Sequence, residues 1–406
     1  MNGKKGILSR GFLTVVVIYI LACTAWQFLG SLLIAYGTEA LGMDKVLVAS
    51  ISGIIATAAL VMRPVNGLIM DKFNKKILYA LSLLVLAGSI FGFAMSKQFY
   101  QLYIFQILRG IAWALLCSIG NIMAGEMVEE KELHTAISIY YMGQTIANVF
   151  GATLALSVVN SSGYQAAFFA GAGCAVVASV LAITLPYSEV KKEGNHQSFM
   201  EGIKGIRLGN LFCAAAIPMC VMNFLFQIMQ TALGNSYVVA FCRGELGLAN
   251  AGIFAAVSSG IMWASRPLGG KLADRFGSKW VFIPSCIGYG AACLLLAQAY
   301  QLTTVLMAAV IYGVCSGTAM PIIQSTVLRT VDESQKGVAT STRMIGGDIG
   351  LMAGNMMMAT VATNFGGDSY RASYMSMIVV AAAALIFIVA YMKVYNAKHE
   401  GNKLGW

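Results

Sequence analysis

An all-α membrane protein, with twelve spanning helices in two halves of six, is the fold class that this sequence predicts. Three observations predict it. The 406 residues are 58 % hydrophobic and only 11 % charged, whereas a soluble domain typically carries about 25 % charged residues; mean hydropathy is +0.74. The apolar residues fall into twelve long runs. One charged stretch occurs twice: residues 63–76 read RPVNGLIMDKFNKK and residues 266–279 read RPLGGKLADRFGSK. The two copies agree at six of fourteen positions and lie 203 residues apart, half of the chain.

A helix needs about 20 apolar residues to cross a bilayer. Runs of that size lie at 12–36, 46–69, 77–95, 102–124, 136–158 and 164–185, then at 211–240, 250–269, 280–299, 303–326, 339–363 and 372–394. They must be helical, because lipid offers no partner to backbone polar groups. The alternating segments of an outer-membrane barrel are not seen. The first run is longer than the core of a signal peptide and is read as an uncleaved first span. The 43 Gly and 23 Met suit close helix packing in lipid.

Lys and Arg set the expected orientation. With the N-terminus inside, nineteen of them fall on the inner side, against Lys45, Lys97, Arg243 and Arg371 outside. Arg63, Arg109, Arg266 and Arg343 lie within or at the ends of spans. Both termini are therefore expected in the cytoplasm, and the net charge of +10 reads as a topology signal. A nucleic-acid partner would want a soluble basic domain, and no such domain is visible. Residues 186–207, PYSEVKKEGNHQSFMEGIKGIR, form a polar linker too short for a domain. It separates a first half, 1–185, from a second, 208–406.

The nine cysteines are odd in number, scattered and mostly inside apolar runs, with no CxxC. They read as small apolar packers. The three histidines, His134, His196 and His399, are all placed in loops. No metal cluster and no nucleophile triad can be assembled. No GxxxxGK[ST] occurs, since Gly269-Gly270-Lys271 is followed by Leu272, which argues against ATP as a direct energy source. No cofactor and no enzymatic activity are expected.

The 203-residue offset extends beyond the opening stretch. Gly143 and Gly151 match Gly346 and Gly354, and Gln27 matches Gln230; near Gly42 and Gly247 the register slips by two. Odd spans match odd spans, so the halves are parallel repeats, as described for the major facilitator transporters. GKLADRFGSK, Gly270 to Lys279, resembles the superfamily signature G-x-L-A-D-R-x-G-R-K between spans two and three. GLIMDKFNKK, Gly67 to Lys76, is similar, with Met70 for Ala and Asn74 for the second Gly. The chain is identified as a member of the major facilitator superfamily over its whole length, most like the bacterial 12-helix drug and metabolite exporters. It departs from proton-coupled exporters in two places. In QILRGIAWAL, Gln106 stands where the family often has Arg and Arg109 sits beside Gly110; span five has Gly151-Ala152 where exporters often show G-P.

Ionisable groups inside spans are expensive and suggest function. Arg109 and Asp348 both fall near the midplane, roughly 10 Å and 14 Å from the nearer ends of their spans at 1.5 Å per residue. Asp348 is the candidate for proton coupling, because protonation of a carboxyl held away from bulk water depends on water access. Its alternative is a structural pair with Arg343 or with residues of span two. Arg109 is a candidate for a substrate anion, or else a packing donor to backbone carbonyls.

The family architecture implies that spans one, four, seven and ten line the central path. Gln27 and Trp26, Arg109 and Trp113, Asn223, Gln227, Gln230 and Tyr312 are then candidate substrate contacts. Asn223, Gln227 and Gln230 share one helical face; interhelical hydrogen bonding is their alternative. Tyr140, Tyr141 and Gln144 form a second tier. Met356, Met357 and Met358 read as packing filler.

The signature loops have a gating reading, which brings in Gly67, Asp71, Lys75, Glu126, Gly270, Asp274, Arg275 and Arg343. A carboxylate can bond the unpaired N–H groups at a helix N-terminus, and the resemblance implies the starts of spans eleven and five as targets. Arg343 is expected near Asp71, and Glu126 to pair with Lys75 or Lys76. The function expected is secondary active transport by alternating access in the inner membrane, by a monomer, most simply as proton-coupled efflux of a small organic molecule. The alternative is uptake or exchange of a small organic anion. A receptor on the same fold would lack a signalling segment.

Overall fold

The computed structural model describes residues 6–187, 211–247, 252–365 and 369–398. Among the described residues there is helix and turn but no strand. Helix α1 (Arg10–Gly30) starts at Ser9, whose hydroxyl accepts from Phe12 N at 3.2 Å. It is broken after Gly30 and resumes through Leu33–Ala35 and a π-helical turn, Tyr36–Ala40. Next come α2 (Lys45–Lys72), α3 (Lys75–Met95) and α4 (Phe99–Glu126).

The helical run Leu133–Thr184 contains Gly163 at φ 84°, a backbone conformation that glycine reaches without a steric cost. It is two helices, α5 (133–162) and α6 (164–184). The second half holds α7 (Ile217–Ala232, continued by Asn235–Gly244), α8 (Ile253–Phe276), α9 (Lys279–Ala297), α10 (Leu302–Thr330), α11 (Lys336–Phe365) and α12 (Tyr370–Lys398).

Among the described residues, nine helical stretches are long and apolar enough to cross a membrane, one of them containing both α5 and α6. Helices α8 and α11 are not in that group, although the sequence places spans there. Their length is sufficient; their composition is the reason. Helix α8 carries Arg266, Lys271, Asp274 and Arg275, and α11 carries Lys336, Arg343 and Asp348. Many of their polar side chains are shielded by protein: Arg266, Thr340, Ser341 and Arg343 are all buried. Elsewhere the outer surface is apolar, with Phe150, Val379 and Ile386 well exposed, as lipid contact requires.

The chain forms two compact units. Unit 1 comprises Met1–Glu129, Tyr140–Cys213 and Asp332–Thr342; unit 2 comprises Glu130–Ile139, Ala214–Val331 and Arg343–Trp406. Each unit is thus one sequence half plus the opening segment of a helix from the other: the start of α11 in unit 1, the start of α5 in unit 2. Of the linker 186–207, all but Pro186 and Tyr187 lie outside the described residues.

Within each unit the same close approaches recur. In unit 1 a Cβ on Gly110 of α4 would lie 2.7 Å from Ile55 O of α2. In unit 2 a Cβ on Gly313 of α10 would lie 2.7 Å from Ser258 O of α8. Both pairs are related by the 203-residue offset. Helix α5 meets α1 at Gly143 and Gly151, where a Cβ would come 2.9 Å from Ile20 Cγ1 and Gln27 Cβ respectively. Helix α11 meets α7 at Gly346 and Gly354. The repeated glycines are therefore contact points between backbones, which is how small residues let helices approach in lipid.

Candidate functional site

The two signature stretches end in two matching clasps. In unit 1, Asp71 Oδ1 accepts from Gly337 N at 2.8 Å and Asp71 Oδ2 from Val338 N at 3.0 Å. In unit 2, Asp274 Oδ1 accepts from His134 N at 3.1 Å and Oδ2 from Thr135 N at 2.8 Å. Each carboxylate thus satisfies orphan donors in the first turn of a helix, at the positive end of its dipole. Residues 337 and 338 less 203 are 134 and 135, so donors and acceptors obey one offset. Gly67 and Gly270 make room: a Cβ there would lie 2.8 Å from Val338 Cα and 2.5 Å from Thr135 Cα respectively.

The copies differ in detail. Thr135 stands where the other copy has Val338, and its hydroxyl adds a 2.6 Å bond to Asp274 Oδ2. Arg329 Nη2 lies 3.0 Å from Asp274 Oδ1 and 2.5 Å from Glu130 O. Arg329 is the counterpart, at the same offset, of Glu126. In unit 1 Glu126 pairs with Lys75 at 2.7 Å and accepts from the Tyr187 hydroxyl, which ties the start of the linker to the end of α4. Lys75 is replaced in the second copy by Ser278. Asn74, a departure from the signature, caps α3 by accepting from Ile77 N at 3.2 Å; its counterpart Gly277 has φ 92° instead. Arg275 is exposed, its guanidinium 5.1 Å from the Phe276 ring centroid.

Deeper in unit 1, Arg109 is 2 % exposed. Its Nη2 donates to Trp26 O at 2.5 Å and its Nη1 to Gln106 Oε1 at 3.2 Å. The guanidinium lies 3.8 Å from the Trp26 ring centroid, and Trp26 stacks on Trp113 at 4.3 Å. Among the described residues no carboxylate lies within ion-pair distance of Arg109. Arg109 and Gln106, two positions at which the sequence departs from exporters, are thus partners on one face of α4. Gln27 lies close by in sequence on α1 and donates to Asn148 Oδ1 at 2.6 Å. Of the second tier, Tyr140 is buried and stacks on Tyr19 at 4.0 Å.

In unit 2 the amide row of α7 does not act as one group. Asn223 is buried and donates to Arg343 O at 3.0 Å, while Arg343 Nη1 donates back to Asn223 Oδ1 at 3.4 Å. Gln227 Cβ packs against Gly350 of α11. Gln230 donates to Ser316 Oγ of α10 at 2.9 Å. Tyr312 stacks over Phe254 at 6.1 Å. Asp348 is half-buried on α11. Asn223 is therefore a helix-to-helix tie, and Gln230 with Tyr312 marks a separate polar spot.

The residues that the sequence did not single out include three at the second latch. Arg329 and Thr135 are signalled by the offset itself, once the helix starts are known to be the targets. The sequence places His134 in a loop; in the structure it is the second residue of α5 and fully buried. His196 and His399 lie outside the described residues. A fourth is Glu245, which accepts from Ser369 Oγ and Tyr370 N, both at 2.7 Å, and so clasps the start of α12. Among the described residues no group of three metal-ligating side chains is present.

Two pseudo-repeated units of membrane-length helices, each with a carboxylate set on a helix start, define a polytopic membrane protein built on an internal repeat. The chain belongs to the Major Facilitator Superfamily, whose family model matches residues 15–262 and 219–405. Among relatives, it is 23 % identical over 200 residues to the uncharacterized MFS-type transporter YfiS of Bacillus subtilis, covering 47 % of each chain. It therefore spans about half the length of that relative. It is 28 % identical over 134 residues to the putative multidrug resistance protein MdtD of Yersinia pestis, covering 32 % of this chain and 29 % of that one. Among solved structures, the human organic anion transporter MFSD10 superposes with a TM-score of 0.76 at 14 % identity, over 93 % of this chain and 99 % of that one. The transporter FucP in its outward conformation gives 0.74 at 16 % identity, over 93 % and 98 %. These likenesses establish the fold. The family to which the chain belongs is one of secondary transporters rather than enzymes.

Proposed function

We propose that this transporter exports a small organic molecule from the cytoplasm in exchange for protons, by alternating access, as a monomer in the inner membrane with both termini cytoplasmic. The paired clasps are the observation that carries the reading. Each holds a helix start with a few charge-assisted hydrogen bonds, a coupling small enough to break in every cycle. Asp71 and Asp274 serve as latches; Gly67 and Gly270 permit their approach; Lys75, Glu126 and Arg329 fix the surrounding charge. Asp348 carries the coupling proton. The resemblance to MdtD supports the outward direction.

Cells producing the protein should retain less of a fluorescent or toxic compound, and an uncoupler should abolish the difference. Asp348→Asn should remove the uncoupler-sensitive part while leaving protein level and melting temperature unchanged. Efflux that ignores the uncoupler and survives Asp348→Asn would end the proton-antiport reading.

One observation favours a second reading, uptake or exchange of a small organic anion. Arg109 is a buried cation whose hydrogen-bond partners are neutral, so a carboxylate that reached it would gain a full charge partner. On this reading Arg109→Gln abolishes counterflow in proteoliposomes. Unchanged counterflow would leave Arg109 as a tie between α4 and α1 alone.

A further inference from the structure

The residue whose backbone N–H is held by Asp274 carries an imidazole, and the corresponding residue of the other latch, Gly337, carries none. The His134 ring is fully buried. Its Nδ1 lies 2.5 Å from Ser325 Oγ and its Nε2 3.4 Å from Ser278 Oγ. The hydroxyl of Ser325 is also 3.0 Å from Pro321 O and 3.1 Å from Ile322 O. Its proton therefore goes to a backbone carbonyl and its oxygen accepts, which puts the imidazole proton on Nδ1. Nε2 is the open position, facing Ser278, whose hydroxyl in turn lies 3.4 Å from Thr326 Oγ1.

We propose that His134 makes the second latch pH-sensitive, so that acidification on the side where α5 begins loosens the grip of Asp274 on that helix. The inference rests on the latch reading given above. A proton on Nε2 would place a full positive charge in a closed pocket. From α8 the charged group present is Asp274. From α10 it is Arg329, which shares Asp274 Oδ1 with the His134 backbone N–H. The turn before α5 supplies Glu130 and Lys131, both exposed, and Glu132, half-buried; Lys279 at the start of α9 is half-buried.

The one carboxylate in the pocket is already committed to two backbone N–H groups, one hydroxyl and one guanidinium. The new charge would also sit at the positive end of the α5 dipole. Taking a cation out of water without a partner is costly. The closed latch therefore binds this proton less readily than an opened one, in which the ring meets water. By linkage, protons favour the state that binds more of them. The sign follows: the latch is tight at neutral and alkaline pH and loosens as pH falls through the range in which imidazole titrates. The first latch, with Gly337, has no such dependence.

The test is amide hydrogen exchange on the full chain in lipid nanodiscs, at about pH 7.5 and about pH 5.5, the range that imidazole titration spans. Rates are corrected for the intrinsic pH dependence of exchange. Protection at the start of α5 should fall about tenfold on acidification, because pH 5.5 lies about one unit below the ordinary imidazole pKa that the opened ring recovers while the closed ring stays unprotonated. Protection at the start of α11 should not change. His134→Asn and His134→Gln should each leave the start of α5 protected at both pH values. Asp274→Asn should leave it unprotected at both. If the wild type shows no change, or if both His134 variants keep the wild-type profile, the His134 proposal is overturned. If Asp274→Asn is as protected as the wild type, it is the latch itself that fails.

Discussion

Asp274→Asn will lower transport by at least about tenfold, the loss of a single charge-assisted hydrogen bond being worth roughly 1.5–3 kcal/mol, and Asp71→Asn will lower it less. The reason lies in the unequal surroundings of two otherwise matching carboxylates. Both face the N–H groups of a helix start. Asparagine keeps one acceptor but turns a second oxygen into a donor, which then meets another donor. At Asp274 that substitution also takes the carboxylate partner from Arg329, which is only 11 % exposed at its side chain, and sets the new NH2 group against either Arg329 on the Oδ1 side or Thr135 on the Oδ2 side. At Asp71 the neighbouring Lys75–Glu126 pair, 2.7 Å apart, brings its own carboxylate and survives the change. The measurement is initial transport rate in proteoliposomes, at matched protein level and melting temperature. Equal loss in both variants, or none in either, would remove the asymmetry from the mechanism.

Gly346→Ala will be the most damaging glycine-to-alanine change among the described residues, because the added carbon meets backbone and has nowhere to go. A Cβ at Gly346 would sit 2.1 Å from Cys220 O and 2.9 Å from Cys220 C. Those are backbone atoms of α7, so no rotamer change relieves the clash and the two helices must part. Overpacking of this kind costs about 1–3 kcal/mol, and more where the backbone has to move. Asn223 and Arg343, which tie the same pair of helices, would be pulled out of register with each other. Gly260→Ala is the control, since a Cβ there meets nothing within 4 Å. It should be neutral or mildly stabilising, by up to about 1 kcal/mol of helix propensity. A melting temperature in detergent lowered by several degrees for the first variant and not for the second is the expected result. Equal melting temperatures would mean that α7 and α11 are not locked at Gly346.

Much of the fold was legible because the bilayer narrows the choices. Apolar runs of the right length must be helices, and the count of runs, the charge asymmetry and the 203-residue repeat all point to one architecture. Helices α8 and α11 were harder to read. Their polar residues lower their hydropathy, and only the burial of Arg266, Thr340, Ser341 and Arg343 by neighbouring helices makes that composition compatible with a spanning helix. The amide row of α7 was legible as a stripe but not as a set of partners. Helical periodicity says which side chains share a face; it does not say that Asn223 meets a carbonyl of α11 while Gln230 meets a hydroxyl of α10.

The sequence by itself determined the class of protein, the repeat, and the two acidic residues at which the repeat concentrates its charge. Those follow from composition and spacing, which act along the chain. Tertiary structure decided three things that depend on side chains far apart in number. It placed the opening segment of α11 in unit 1 and that of α5 in unit 2. It spent the cation of Arg109 on Trp26 and Gln106. And it buried His134, a residue that reads as part of a polar loop, against Ser278 and Ser325 beside the Asp274 latch. Burial and hydrogen-bond partners are properties of the packed helices, and a residue 140 or 191 positions away leaves no local trace in the sequence that needs it.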